Sequence, residues 1–255
     1  VLLLAAPSLA QRVSDVRGTR HNLSTSGTGG THATTGGTSE VCVFCHTPHG
    51  ATQQDQGGAA MRAPLWNRRV PDGATYSPYT SSSLDAQAIL DGLSAQPGGS
   101  SKLCLSCHDG TLAIGNVNVL NGNANVSIPM SGTGPGGTMP PGEGSNTGFT
   151  RFLGTDLRND HPVGIRFPTA AGPGTDFNDP SRKEARLAWF DGNANARADG
   201  NEIRLYNSGE GYEVECASCH DPHGVPSAGP GSNFNPTFLR LPNAGSAVCL
   251  TCHTK

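Results

Sequence analysis

All eight cysteines of the 255-residue chain fall into one repeated pattern. Cys42, Cys45 and His46 are followed by Cys104, Cys107 and His108, then Cys216, Cys219 and His220, then Cys249, Cys252 and His253. Cys-x-x-Cys-His is the attachment motif of c-type haem: two thiols form thioethers with the vinyl groups, and the histidine becomes the proximal iron ligand. Zinc sites and redox disulfides also use paired cysteines, but neither requires a histidine directly after the second one. Four repeats out of four predict four covalently bound haem c groups.

Composition sets what surrounds them. Leu, Ile, Val and Phe make up 18% of the chain, below the roughly 20% at which chains lose a core of their own. Gly and Pro make up 21%, yet the net charge is only −3, so this is not a highly charged disordered chain. The expectation is a mostly irregular, coil-rich multihaem cytochrome, a few short helices and strands wrapped round a haem chain. At one macrocycle per about 64 residues, haem–haem contact and sparse secondary structure are expected.

The start, VLLLAAPSLA, reads as the end of a signal peptide over residues 1–10, with Ser8 and Ala10 as the small residues before the cut; the alternative is an ordered apolar strand. Residues 11–255 then form a single tetrahaem domain. Thioether haems are attached outside the cytoplasmic membrane, so export through the periplasm to the cell surface or exterior is expected. No stretch is long enough to span a bilayer, and no nucleic-acid partner is expected.

Five histidines remain for four distal positions: His21, His32, His49, His161 and His223. His49 and His223 share a setting, CHTPHG and CHDPHG. Each lies three residues from a proximal histidine, on the same side of that haem, and so reaches a neighbouring iron more easily than its own. The bland alternative is a loop histidine bonded to a propionate. His161 in NDHPVG and His21 in HNLS complete the set; His32, in a Gly/Thr run, is left out. Met61, Met130 and Met139 are the other conceivable axial ligands, the last two in a stretch that reads as surface loop over 130–148.

The words HNLS, CVFCHTPHG, APLWNR, KLCLSCHDGT, NDHPVG and ECASCHDPHG resemble the multihaem outer-surface cytochromes of metal-reducing bacteria, and with four haems the tetrahaem cytochrome nanowires of the OmcE/OmcS type. The resemblance spans most of His21 to His253. It implies end-to-end polymerisation, electrons carried along a continuous haem chain, little regular structure, and one ligand donated across the subunit boundary.

DGNANARADGNE places Asp191, Asn193, Asn195, Asp199 and Glu202 at positions 1, 3, 5, 9 and 12 of an EF-hand-like loop, with the Arg197 carbonyl at 7. One structural Ca2+ is expected there; the alternative is an Asn/Gly-rich turn. Ala196 stands where position 6 expects glycine. The segment RKEARLAWF before the loop reads as helical, and EIRLY after it as a strand. TLAIGNVNVL and VGIRF alternate like strands, and SSSLDAQAILDGLSA has helical spacing.

Two classes of function are in contention. Bis-histidine iron has no open position, which fits an electron carrier: a filament subunit or a monomeric periplasmic shuttle, working with other redox proteins or extracellular acceptors. A multihaem reductase needs a vacant iron site, and the surplus of histidines argues against one. In a homopolymer His49 is the first choice for the ligand donated between subunits and His21 the second, while His223 is expected to serve the fourth haem within its own chain.

Overall fold

The computed structural model describes residues 15–61, 63–81, 96–141, 151–168, 175–207, 209, 211–227 and 233–254. The described residues are coil-rich, with 18% in helices and 20% in strands, well under the roughly one-third helix of an ordinary domain. Among the described residues the α-helices are short: α1 (Gly99–His108), α2 (Cys216–Cys219) and α3 (Ala247–Cys252). Each ends on a Cys-x-x-Cys-His motif.

Among the described residues nine strands form three separate sheets. β1 (His32–Ala33) pairs antiparallel with β4 (Met130–Ser131). β2 (Asn116–Leu120) and β3 (Asn123–Ser127) make a hairpin whose register is Val117 to Val126. Its turn is Asn121-Gly122 at φ +50° and +78°, the Asn-Gly pair that a tight hairpin with left-handed central residues favours. The largest sheet has five antiparallel strands in the order β5 (Ile165–Arg166), β9 (Tyr212–Val214), β8 (Arg204–Asn207), β7 (Leu187–Trp189) and β6 (Arg182–Lys183).

The described apolar residues gather in three small clusters. The first joins Ala33, Val43, Phe44, Val117 and Ile128, with Cys45 packed against them. The second joins Tyr76, Leu105 and Leu157. The third joins Phe167, Ala188 and Leu205, with Cys252 on its flank. Each cluster therefore abuts one cysteine motif.

Two expectations are corrected. RKEARLAWF is not a helix but the hairpin of β6 and β7, with Arg182 opposite Trp189. Ala188 is fully buried, and its packing in the third cluster overrides the local helical spacing. The stretch from residue 130 is not all loop: Met130–Ser131 is β4, and Met139 is buried. The proposed strands in TLAIGNVNVL, VGIRF and EIRLY coincide with β2, β5 and β8. The signal-peptide segment 1–10, the helical segment after residue 81 and residues 142–148 of the loop lie outside the described residues. No described helix is long and apolar enough to cross a membrane.

Candidate functional site

Each motif is wound into a single helical turn. The amide of the histidine donates to the carbonyl of the first cysteine at 2.8 Å for His46, 3.0 Å for His220 and 2.9 Å for His253; Cys104 to His108 form the last turns of α1. Residues three apart in such a turn share a face, which brings the two thiols to one side. None of the eight is in a disulfide.

Successive motifs are neighbours in chain order. Burial pushes the Cys45 thiol up to about 12, and the nearby Cys107 adds to it. The Cys104 thiol donates to the Ser100 carbonyl at 3.7 Å, and the neighbouring Cys216 raises the pKa of Cys104 while its own is lowered. Burial raises Cys219 to about 11 and Cys252 to about 12, with further upward pushes from Cys249 on the former and Cys219 on the latter. The four motifs thus form one string, first to fourth.

α2 is seated on α1 by a buried carboxylate. Glu215 accepts from the amides of Gly98 at 3.1 Å and Ser101 at 2.9 Å, while Ser101 Oγ accepts from the Cys216 amide at 2.9 Å. A side chain at residue 98 would run into that carboxylate, so the start of α1 is glycine.

The imidazoles share one mode of support. Nδ1 of His46 bonds the Pro64 carbonyl at 2.6 Å, His108 that of Arg151 at 2.7 Å, and His220 that of Thr237 at 2.7 Å. His21 bonds the Pro222 carbonyl at 2.7 Å and His161 the Pro162 carbonyl at 3.0 Å. A neutral ring that donates from Nδ1 leaves the Nε2 lone pair for a metal. Burial, the largest cause, lowers the pKa of His108, His161 and His220, and that of His21 to about 4, so these rings stand neutral.

Two pairs of rings face each other. The centroids of His46 and His223 are 6.3 Å apart with planes 13° from parallel. Those of His21 and His108 are 6.1 Å apart with planes crossed at 72°. With metal–imidazole bonds of roughly 2 Å and about 1.1 Å more from nitrogen to ring centre, two rings on one metal stand about 6 Å apart. Both pairs match that spacing. Among the described residues no other two imidazoles do. His161 lies close enough to His253 for the latter to depress its pKa. His49 is exposed, and its backbone, not its ring, bonds Thr47.

These contacts bear on the expected pairings. The His223 ring faces that of His46 in the first motif. His21, named second for the role between subunits, faces His108 of its own chain. Spacing in the sequence could not show either pairing, because each rests on contacts between residues far apart in the chain. Supports missed in the sequence are Pro64, Arg151, Pro222 and Thr237; they act through backbone carbonyls, which leave no side-chain signature.

The glycine after each second histidine has a local reason. Gly50 and Gly224 lie at φ +69° and +83°, where only glycine turns the chain without strain.

The acidic loop connects β7 to β8, strand to strand. Asp191 is paired with Arg182 at 3.0 Å, its side chain 1% exposed. Its oxygens accept from the amides of Asn195 and Ala196, and the Asn193 and Asn195 side chains both donate to Asp199 Oδ2. Glu202 accepts from the amides of Gly192 and Asp199, and burial raises its pKa. The Asn193 and Asn195 side-chain oxygens accept from the backbone of Asn195 and Arg197. Asp191, Asn193, Asn195, Asp199 and Glu202 are thus gathered in one loop by N–H donors. Among the described residues no three of His, Cys, Asp or Glu are grouped as ligands of a bare metal ion.

A search of protein-family models finds none that matches the chain, and no curated protein matches it.

Proposed function

We propose that the chain is an electron carrier holding four haem c groups on its four Cys-x-x-Cys-His motifs, and that it works as a subunit of an extracellular filament. The observation that carries this reading is the pair of facing imidazoles, His46 with His223 and His21 with His108, at the separation of two ligands on one iron. When bound, haem supplies an iron that alternates between ferric and ferrous states.

The chain's own residues do the rest. The cysteines tether, the carbonyls of Pro64, Arg151, Pro222 and Thr237 hold the rings in one tautomer, and two imidazoles per iron close the positions at which a substrate would bind. His161 serves the fourth motif, whose His253 it adjoins. His220 and the exposed His49 are then left as the complementary pair, and His49 completes the third site of the next subunit. The adjacency of successive motifs fits a continuous path for electrons. One Ca2+ held by the loop of Asp191, Asn193, Asn195, Arg197, Asp199 and Glu202 belongs to the same proposal.

The test is made on protein matured in a host with haem-attachment machinery. Four haems per chain and no carbon monoxide binding by the reduced filament are expected. Stoichiometric carbon monoxide binding at one haem would favour the reductase reading, and four low-spin haems in isolated particles would favour the monomeric shuttle.

A further inference from the structure

CHTPHG and CHDPHG differ at one residue, and that residue treats the second histidine differently. In the first, Thr47 Oγ1 donates to the His49 carbonyl at 2.8 Å and accepts from its amide at 3.4 Å, leaving the ring alone. In the second, Asp221 Oδ1 accepts from the His223 amide at 3.0 Å and bonds ring Nδ1 at 3.1 Å. One carboxylate oxygen thereby grips His223 at two points and fixes its ring plane.

Asp221 is itself clamped. Its other oxygen accepts from Arg240 Nη1 at 3.1 Å. The Arg240 side chain, 3% exposed, is held in turn by the carbonyls of Ala217 and Gly200 at 2.9 Å each. The Asp221 amide donates to the Phe238 carbonyl at 2.9 Å. The anion is therefore built into the fold.

The acceptor's charge matters for the iron. His21, His46, His108, His161 and His220 all place Nδ1 against a neutral carbonyl, whereas His223 places it against a carboxylate. An anionic acceptor draws the Nδ1 proton away, makes Nε2 a stronger donor, and favours the more positive ferric ion over the ferrous one.

We propose that Asp221 is a positioning residue that fixes His223 opposite His46 and lowers the reduction potential of the haem held there, relative to the one held by His21 and His108. This rests on the electron-carrier reading. Arg240 tempers the effect by sharing the charge.

The ring angles supply a label for each site. π-donation from two parallel imidazoles adds and splits the iron dπ orbitals, giving a rhombic low-spin resonance. Donation from crossed rings cancels, giving a strongly anisotropic one. The His46–His223 site, at 13°, should give the former and the His21–His108 site, at 72°, the latter.

The experiment is a redox titration of the haem-loaded protein followed by electron paramagnetic resonance. In Asp221→Asn the rhombic species should titrate at a higher potential while the other three are unchanged, and Asp221→Glu should recover the lower value. Four unchanged potentials in fully loaded Asp221→Asn would overturn the proposal while leaving the carrier reading intact. A wild-type chain that binds no haem would instead sink that reading. If Asp221→Asn fails to load, Arg240→Gln decides: the same species should move to lower potential, and no movement would overturn the proposal.

Discussion

Glu215 is the residue whose environment and role are most at odds. It is 2% exposed, and burial lifts its carboxyl from the ordinary 4.5 to about 7, with Glu213 pushing the same way against the amides of Gly98 and Ser101. Between those two values the folded chain holds a proton that the unfolded chain has released. Stability therefore falls as pH rises through that window and levels off above about 7. A shift of this size corresponds to about 3 kcal/mol. Glu215→Gln should remove this slope, read as the difference in unfolding free energy between pH 5 and pH 8 in variant and wild type; identical slopes would contradict it. At this scale the sequence is legible where the chemistry is in side chains. The four motifs can be read from residue type and spacing, and His21, His49, His161 and His223 stand out there as candidate second ligands. The supporting words resolve into contacts only in the structure. In APLWNR, Pro64 holds the His46 ring, Trp66 packs edge-on against it at 5.9 Å, and Asn67 ties the Val43 and Val119 carbonyls together.

Short elements on this chain are held by side chains that reach across irregular backbone. Arg68 is 1% exposed and donates to the carbonyls of Ser106, Ala113, Ile114 and Asn116. It ties the end of α1 to the start of β2 and so fixes the second motif against the first cluster. Arg68→Ala leaves four carbonyls to find new donors and should cost at least about 3 kcal/mol, measured by denaturant unfolding; a loss under about 1 kcal/mol would show that water takes over. The loop between β7 and β8 belongs to the same scale. Elemental analysis of protein purified without chelator should find about one calcium per chain if the loop is filled. An ordered loop with no calcium would make it a turn closed by its own N–H groups. Ala194 and Ala196 stand there at φ +58° and +59°, and the second is the position where glycine was missing. The misjudged helix over RKEARLAWF shows the limit of periodicity. Leu187 and Ala188 fit either structure, and only the pairing of Ala188 with Leu205 across β7 and β8 decides.

For the whole molecule, the consequence of the proposed pairing lies between copies. In His49→Ala we expect loss of filaments and one high-spin haem per chain, with the other three unaltered, seen by electron microscopy and electron paramagnetic resonance. A variant that still polymerises with four low-spin haems would move the crossing ligand elsewhere. Coil-rich character could be read from the shortage of Leu, Ile, Val and Phe. The division of apolar residues into three small clusters could not, because it depends on which distant segments each motif gathers.

Cysteines of successive motifs adjoin one another. The first neighbours the second, the second the third and the third the fourth, through Cys45 and Cys107, Cys104 and Cys216, and Cys219 and Cys249. Components wired in series share one fate: the slowest step sets the current, and one missing link stops it. In the filament proposed here, a chain that left maturation one haem short would interrupt the path for electrons. The reach of such a filament would then be set by the quality of cofactor loading in the cell that makes it, more than by the length to which it can grow.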